Sequence, residues 1–341
     1  MIILIVKQRK KPHIILAYEA LFRRLKERYR QNEVINESYQ KFNAGYRGEK
    51  NVDYQISLYP HENFFIFHDL RLGIHSHYFQ LDTLILTRNF ICILEIKNLK
   101  GKLNYDTEQQ QLTQETDGKI IRYKDPIQQV ELQKRNLEFW LHRNRYFNLP
   151  IETLVIMSNP STIITNIHKD PTFFNKWIHA ESIHFFLDNL ESKYTNVVLN
   201  KDQLKKLNHL LLKGNTPLTP NLFEKYNISN RHLIDGIPCP QCNYYPMVRQ
   251  YKKWSCPKCA NQDSKAHERA ILDYFLLYKD TITNKECRNL LQLASPRSAY
   301  NILKSMELKQ TGKNKARKYH APIDFPMDSV FPLKYKSILD Y

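Results

Sequence analysis

The chain has 341 residues, which suffices for two or three domains of ordinary size and a substantial core. Its 51 Lys and Arg outnumber 34 Asp and Glu, so the net charge is +17 and the pI about 9.4. With 21 Tyr and 17 Phe, this balance favours a polyanionic partner, nucleic acid before a membrane surface. Only 8 glycines are present and no GxGxxG or GxxxxGKS/T string occurs, which argues against a fold built on glycine-rich phosphate loops.

The N-terminus carries apolar residues before basic ones. It reads MIILIVKQRKKP, the reverse of a secretory signal, which begins basic and continues apolar for longer. No segment approaches the ~18 apolar residues of a membrane span. We therefore expect a cytoplasmic protein with no membrane partner. Its first residues are expected to form a short β-strand or docking segment, and residues 14–30 a helix.

The next part of the chain alternates helical and extended patterns. A helix is expected over 46–58, entered through Gly48 and Glu49. Runs rich in aromatic and β-branched residues predict strands near 64–71, 78–86, 90–97 and 110–123. A helix begins at Pro126, which suits a first helical turn, and runs to about Arg145, after which ETLVIMSN predicts a buried strand. This order of elements indicates an α/β fold.

Two carboxylates and a lysine fall on neighbouring predicted strands. Asp82 lies in HYFQLDTLILT, whereas Glu95 and Lys97 lie in FICILEIKN, after a short turn. Because side chains alternate along a strand, Glu95 and Lys97 continue an otherwise apolar row. Ionised groups entering a buried row are costly unless they are paired or bound to a metal. A salt bridge at a strand end and a divalent-metal site both agree with this pattern.

Histidines near these strands leave a second kind of metal site open. His68 lies on the preceding strand beside Asp69, and His75 and His77 lie in the loop before Asp82. Histidine is a common metal ligand, so a His-based site is one interpretation. Solvated loop histidines are the favoured alternative.

These strings and their neighbours resemble the NERD (nuclease-related domain) family, of the kind found in Bacillus, over about residues 46–165. The matching residues are Gly48-Glu49, Gln80-Leu81-Asp82, Glu95-Ile96-Lys97-Asn98, Gly101, Asp125-Pro126 and Gln128. The family is related to the PD-(D/E)xK nuclease superfamily, so the resemblance implies a restriction-endonuclease-like mixed sheet flanked by helices. Asp82 follows Leu81 rather than proline, a departure that is ordinary for the superfamily.

The resemblance also implies a metal-dependent nuclease that hydrolyses phosphodiester bonds, with DNA as the expected substrate. The residues carried over to the catalytic site are Glu49, Asp82, Glu95, Lys97 and Gln128. Asp82 and Glu95 offer hard oxygen ligands that suit Mg²⁺ or Mn²⁺. Glu49 would complete the coordination or hold a metal-bound water. Lys97 would orient the attacking water or stabilise developing charge, and Gln128 would hydrogen-bond Lys97 or the phosphate.

Two other classes of function remain open at this point. One is a non-catalytic nucleic-acid-binding protein built on a nuclease-like scaffold, which would bind in a salt-sensitive way without metal-dependent cleavage. The other is a protein-interaction module, which would bind neither DNA nor RNA at physiological salt.

Four of the six cysteines form two CxxC pairs. The spacing Cys239-x2-Cys242-x13-Cys256-x2-Cys259 is typical of a tetrahedral zinc site. Zinc thiolates stabilise small modules whose cores are insufficient alone. Four thiolates leave no open position for water, so we expect a structural zinc ribbon over 236–262. Disulfides are the less favoured alternative, because no secretion signal is seen.

The region after the cysteines predicts helix, turn, helix and a basic hairpin. An amphipathic helix is followed by a second helix capped at Thr283 or Asn284 and a third that begins near Pro296. This order predicts a winged-helix-like module over 263–325. The residues expected to contact nucleic acid are Arg297, Ser298, Tyr300, Lys313, Lys315, Arg317 and Lys318. A helical packing module with a solvated basic loop is the alternative.

The whole chain is thus expected to be α/β, with smaller modules after the nuclease-like domain. The expected divisions are an N-terminal strand and helical segment (1–45), the nuclease-like domain (46–165), a helical region and linker (166–235), the zinc ribbon (236–262), the winged-helix-like domain (263–325) and a tail (326–341).

Overall fold

The computed structural model describes residues 4–60, 63–116 and 118–322. The expected tail, 326–341, and the last residues of the winged-helix-like module lie outside the described residues. The chain forms two compact units: the first comprises the segment up to Lys10 together with Lys41–Leu218, and the second comprises Lys11–Gln40 together with the chain from Thr219 onward.

The α-helices of the described residues are α1 (His13–Arg24), α2 (Glu27–Arg30), α3 (Glu33–Ser57), α4 (Pro126–Arg143), α5 (Ile183–Lys193), α6 (Lys201–Gly214), α7 (Leu222–Lys225), α8 (Ala266–Leu277), α9 (Asn284–Leu291) and α10 (Pro296–Ser305). The strands are β1 (Leu4–Lys7), β2 (Phe65–Ile74), β3 (His77–Leu86), β4 (Ile91–Lys97), β5 (Lys102–Asp106), β6 (Gln111–Thr116), β7 (Lys119–Tyr123), β8 (Ile151–Met157), β9 (Ile163–Asn166), β10 (Trp177–His179), β11 (Val248–Gln250), β12 (Lys253–Ser255), β13 (Gln262–Asp263), β14 (Thr281–Thr283), β15 (Gln310–Thr311) and β16 (Lys318–His320).

The first unit is built on a mixed six-stranded sheet in the order β1-β2-β3-β4-β8-β10. β3 is antiparallel to both of its neighbours, β2 and β4, whereas β1 is parallel to β2, and β8 and β10 extend the other side of the sheet in parallel with β4. The expected mixed sheet flanked by helices is therefore confirmed. β10 lies within a region that was expected to be mostly helical, and three residues with one tryptophan give too short a pattern to predict a strand.

Helices cover both faces of this sheet, because its strands alternate buried side chains between two cores. Ile91 and Ile93 of β4 share a core with α4 and α6. Cys92 and Leu94, which point the other way, share a core with α3 and α5. A residue that continues the Ile91 row therefore faces α4.

The helix expected over 46–58 is longer than predicted, and Gly48 lies inside it. α3 begins at Glu33, so Gly48 does not mark the entry of the helix. Close packing requires glycine at this position, because a Cβ would clash with Ser158 Oγ and would lie 2.6 Å from Asn98 Cβ. Asn98 Nδ2 donates to Ala44 O at 2.6 Å. These contacts hold α3 against the ends of β4 and β8.

Two other expected elements are divided in the structure. The strand expected over 110–123 is two strands, β6 and β7, because Gly118 adopts φ 70°, a turn conformation that suits glycine. Together with β5 and β9 they form a small sheet in the order β7-β6-β5-β9. The helix expected over 14–30 is interrupted at Leu25, which is extended and pairs with Leu233.

The second unit combines α1 with the C-terminal modules. The guanidinium of Arg23 in α1 contacts the carboxylate of Asp273 in α8 at 2.6 Å, and both side chains are buried. Arg24 donates to the carbonyl oxygens of Ile234 and Gly236 at 3.0 and 2.7 Å. These buried bonds fix the N-terminal helix to the chain that precedes the cysteines.

Two small sheets form in the C-terminal part of the second unit, one in the cysteine region and one beside the last helices. One sheet has the order β11-β12-β13, and the other has the order β14-β16-β15 and accompanies α8, α9 and α10. Thr283, one of the two residues expected to cap this region's second helix, caps α9 in a capping box with Glu286. In the described part of the chain, no helix combines the length and apolar character that a membrane span requires.

Candidate functional site

The carboxylates of the first unit lie where β3 and β4 separate. Backbone pairing between these strands reaches Thr83 and Leu94. Asp82 and Glu95 occupy the next position on each strand. The Asp82 Oδ2 atom accepts a hydrogen bond from the Ile96 N–H at 2.9 Å. A side-chain carboxylate thus binds a backbone donor of β4 just beyond the point where the ladder stops.

Glu95 is buried, with 2% of its surface exposed, and both of its carboxylate oxygens have partners. The Oε1 atom accepts from Lys97 Nζ at 2.6 Å and from Gln129 Nε2 at 2.6 Å. The Oε2 atom accepts from Gln133 Nε2 at 2.7 Å. Lys97 Nζ also donates to Gln129 Oε1 at 3.0 Å. The sheet face and α4 together fix the positions of this acid and base.

Gln128 does not contact Lys97, which was one of the two partners that the resemblance implied for it. Its amide group is exposed and donates to Gln110, while Gln129 contacts Lys97 and Glu95 instead. Adjacent helical residues point about 100° apart, so a shift of one position changes the face. The sequence analysis did not identify Gln133 as a partner of Glu95. It lies on the buried face of α4 between Val130 and Leu137, and a polar residue in that apolar pattern could have indicated a buried hydrogen bond.

Glu49 reaches the site from α3 and is held by an arginine that sequence reasoning missed. Arg9 Nη1 donates to Glu49 Oε2 at 2.6 Å. The same guanidinium binds Asp53 through Nε at 2.7 Å and through Nη2 at 3.1 Å. Its Nη2 also donates to Asp82 O and to Thr83 Oγ1, each at 2.9 Å. The separation of Arg9 from its partners by 40 or more residues left no local pattern to detect.

The histidines do not form a metal cluster in the described residues. His68 is buried, and its Nδ1 lies 3.2 Å from Thr83 Oγ1 and 3.1 Å from Asp53 Oδ1. Burial lowers the pKa of His68 to about 4, so its imidazole is neutral near pH 7. His75 and His77 are exposed as expected, but only His75 lies in the turn before β3, since His77 is the first residue of that strand.

Burial of several carboxylates together shapes the electrostatics of the site. Burial raises the pKa of Asp82 well above its usual range, and the charges of Glu95 and Glu49 raise it further. Burial also raises the pKa of Glu49, although the charge of Arg9 opposes this. Carboxylates that disfavour one another's ionisation would be stabilised as anions by a divalent cation. Carboxylate oxygens are hard ligands, so a donor set of this kind would suit Mg²⁺ or Mn²⁺.

The carboxylates are nevertheless less tightly gathered than the cysteines. In the described ranges, the ligand atoms of four cysteines all lie within 4.8 Å of one another, and no three carboxylates are gathered in this way. These cysteines are Cys239, Cys242, Cys256 and Cys259. The carboxylates of Glu49 and Glu95 are each held by a basic side chain, which keeps them in separate hydrogen-bonded positions.

The four cysteines of the second unit form a metal-binding cluster consistent with a zinc ribbon. Cys239 and Cys259 have Sγ atoms 3.6 Å apart, as do Cys242 and Cys256. Tetrahedral thiolates about 2.3 Å from zinc would be about 3.8 Å apart, whereas disulfide sulfurs are about 2.05 Å apart. Burial opposes the Cys256 thiolate, but backbone N–H groups bring the pKa of this thiol down to about 7. The geometry fits a tetrahedral metal and excludes disulfides.

The residues expected to contact nucleic acid lie on α10 and on the hairpin after it. Arg297 and Arg317 each lie over the Tyr300 ring, with guanidinium carbons 5.5 and 5.7 Å from its centroid. Lys313 and Lys318 are exposed on the hairpin, where Lys315 also lies. Ser298 lies in the first turn of α10, and its N–H bonds the capping Ser295. An aromatic ring flanked by two cations suits contact with phosphates and bases.

Comparison with known proteins addresses the first unit. No curated protein matches the chain. Among solved structures, protein VC1899 from Vibrio cholerae aligns at 13% identity over 48% of this chain and 36% of that protein, with a TM-score of 0.24, a similarity too low to support an inference. Residues 44–158 match the family model described as "NERD: Nuclease-related domain". This range contains α4, the point where β3 and β4 separate, and all five predicted catalytic residues, so the chain carries a nuclease-related domain.

Proposed function

We propose that the protein is a metal-dependent nuclease that hydrolyses phosphodiester bonds of nucleic acid, with DNA as the expected substrate. The observation that carries the proposal is the position of Asp82, Glu95 and Lys97. Asp82 and Glu95 lie where the central strands β3 and β4 separate, and Lys97 lies at the end of β4, all within the nuclease-related domain. The charge of +17 gives the chain a general attraction to polyanions.

The residues where β3 and β4 separate suit the roles that metal-dependent phosphodiester cleavage requires. Asp82 and Glu95 would hold Mg²⁺ or Mn²⁺, which supplies charge to the scissile phosphate and a bound water of lowered pKa. Lys97 extends from the same strand and would stabilise the charge that develops on the phosphate. Gln129 bonds both Lys97 and Glu95, so it would fix the distance between the cation and the carboxylate. Glu49 approaches from α3 and would orient a water beside Asp82.

The C-terminal modules support the choice of nucleic acid as partner. We propose that the four cysteines bind a structural zinc ion and that α8–α10 with β14–β16 form a winged-helix-like module. Its element order, with α10 and the basic hairpin adjacent, agrees with a helix that enters a groove and a wing that contacts the backbone. The proposed contacts are Arg297, Ser298, Tyr300, Lys313, Lys315, Arg317 and Lys318.

Cleavage of plasmid DNA by the purified full-length chain tests the proposal. Nicking should require added Mg²⁺ or Mn²⁺. Glu95→Gln should reduce the nicking rate by about 100-fold or more, because it replaces a charged ligand with a neutral side chain of similar shape. Glu115→Gln, an exposed carboxylate of β6 in the same unit, is the matched control and should keep the wild-type rate. Equal rates in wild type and Glu95→Gln would contradict the assignment.

A second function is favoured by one observation, the complete pairing of Glu95. Its oxygens are bound by Lys97, Gln129 and Gln133, an arrangement that also suits a salt bridge preserved for stability. A non-catalytic nucleic-acid-binding protein would bind DNA with an affinity that falls steeply with salt. It would not cleave DNA in any divalent metal, and Glu95→Gln would lower stability while leaving DNA affinity unchanged.

A further inference from the structure

The N-terminal segment places a buried cation beside the carboxylate cluster. Arg9 follows β1 and precedes the matched range 44–158, so the domain model does not include it. Its side chain is 3% exposed, which is unusual for a residue that is normally at the surface. Five of its bonds bind carboxylates or β3: two to Asp53, one to Glu49, one to Asp82 O and one to Thr83 Oγ1.

We propose that Arg9 is a positioning residue of the nuclease-like site, whose guanidinium fixes the Glu49 carboxylate of α3 beside the Asp82 segment of β3. This inference rests on the proposed function, because positioning has a consequence only where a metal or a water binds. Arg9 acts through Glu49 and is not itself assigned to contact the substrate.

The strand that carries Arg9 is fixed to the sheet next to the site. β1 pairs in parallel with β2, with Leu4 opposite Phe65 and Ile5 opposite Ile66. Lys7 Nζ donates to the carbonyl oxygens of His68 and Asp69, at 2.7 Å each. The first ten residues are therefore anchored before the chain reaches Arg9, which limits where its guanidinium can lie.

The chemistry of these contacts requires arginine rather than a positive charge alone. The guanidinium is a planar fork that binds Asp53 with two nitrogens while a third reaches Glu49. A lysine ammonium could neutralise one carboxylate but could not hold both in this geometry. Arg9→Lys therefore keeps the charge and removes the arrangement, which separates positioning from general electrostatic stabilisation.

A double-mutant cycle between Arg9 and Glu49 is the central test. In the wild-type background, Arg9→Lys and Arg9→Gln should each lower kcat for plasmid nicking, and lower the affinity for Mn²⁺, by about 10- to 100-fold. In a Glu49→Ala background the same changes should lower kcat by no more than about twofold, because the group through which Arg9 acts is gone. A merely structural role would give the same loss in both backgrounds.

A chemical rescue gives a second readout that does not depend on the cycle. A cavity of about 250 Å³ is lined by Arg9, Asp53 and His68 and reaches outward to Lys50 and Gln8. Added guanidinium, below denaturing concentrations, should enter the space left in Arg9→Ala and restore part of the nicking rate. Arg71→Gln is the matched control, since Arg71 lies over Tyr78 and donates to Thr216 O, away from the carboxylates.

The outcomes separate this inference from the proposed function. If the wild type nicks DNA but Arg9 and Glu49 changes multiply independently, and guanidinium restores nothing, the inference is wrong and the nuclease assignment stands. If the wild type neither nicks DNA nor binds Mn²⁺, both are wrong. If Arg9→Gln does not fold, as circular dichroism would show, Arg9→Lys carries the cycle.

Discussion

At the scale of single residues, the candidate site depends on how buried charges are paired. Alternation along β4 was enough to predict that Glu95 and Lys97 share a face, and the 2.6 Å contact between them bears this out. The sequence could not predict Arg9, because its partner Glu49 lies 40 residues away. The choice between Gln128 and Gln129 required the rotation of α4 about its axis, which a pattern of apolar residues fixes only within a residue or so.

The contacts of Gln129 with Lys97 and Glu95 make a direct prediction. Gln129→Ala removes the donor to Glu95 and the acceptor for Lys97, so it should lower the rate of DNA cleavage by about tenfold or more. Gln128→Ala removes a contact with Gln110 and should have a smaller effect. Measured kcat values for the two variants decide between these residues, and a larger loss in Gln128→Ala would favour Gln128, the residue that the resemblance implies.

At the scale of elements, α3 shows how close packing determines which glycines are required. The motif glycine Gly48 could be recognised in the sequence, but its reason could not, since Ser158 and Asn98 approach it only after folding. The long strands β2, β3, β4 and β8 could be predicted from their apolar and β-branched patterns, whereas β5, β9 and β10 could not, because short strands carry little periodic signal.

Two glycines of α3 should respond in opposite ways to alanine. Gly48→Ala places a Cβ within 3 Å of Ser158 and Asn98, so it should lower the free energy of unfolding by roughly 1–3 kcal/mol. Gly45→Ala meets nothing within 4 Å and should raise it by up to about 1 kcal/mol, as expected for alanine in a helix. Urea denaturation of both variants tests this contrast, and equal destabilisation would show that α3 does not pack as described.

A buried histidine on α8 predicts a pH dependence of stability. Burial lowers the pKa of His267 to about 4, and its Nδ1 accepts from Trp254 Nε1 at 3.1 Å. Between pH 6.5 and pH 4 the unfolded chain binds a proton at this residue that the folded chain does not. The neutral His267 therefore lowers the free energy of unfolding progressively as pH falls through that window, by roughly 3 kcal/mol at its lower end.

His267→Gln provides the comparison, because glutamine can accept the indole hydrogen bond without titrating. The difference in unfolding free energy between pH 7 and pH 4.5 should be smaller in the variant than in the wild type. Chemical denaturation at the two pH values measures it, and the acid sensitivity of the cysteines is common to both proteins. An unchanged difference would mean that His267 is not neutral in the folded chain.

At the scale of the whole molecule, the chain joins a nuclease-related domain to a unit with a metal-binding cysteine cluster. The composition already indicated a polyanionic partner, and the CxxC spacing alone predicted the cluster that the sulfur distances now describe. The division of the chain was not predictable in the same way. The second unit recruits residues 11–40 through buried arginine contacts that join positions more than 200 residues apart.

Removal of the metal should destabilise the second unit. Zinc analysis of the purified chain should give about one ion per molecule, and Cys259→Ser should lose it together with several degrees of thermal stability. Cys287, a buried cysteine of α9 outside the cluster, is the control, since Cys287→Ala should retain the metal. Full zinc content in Cys259→Ser would contradict the proposed site.

Whether Asp82, Glu95 and Lys97 cleave nucleic acid is decided by a single comparison of nicking rates. The rate of plasmid nicking by zinc-loaded full-length protein is measured in Mn²⁺, beside Glu95→Gln and Glu115→Gln prepared in the same way. We predict metal-dependent nicking that is lost in Glu95→Gln and retained in Glu115→Gln. Salt-sensitive DNA binding without nicking in the wild type would contradict a nuclease and favour the non-catalytic alternative.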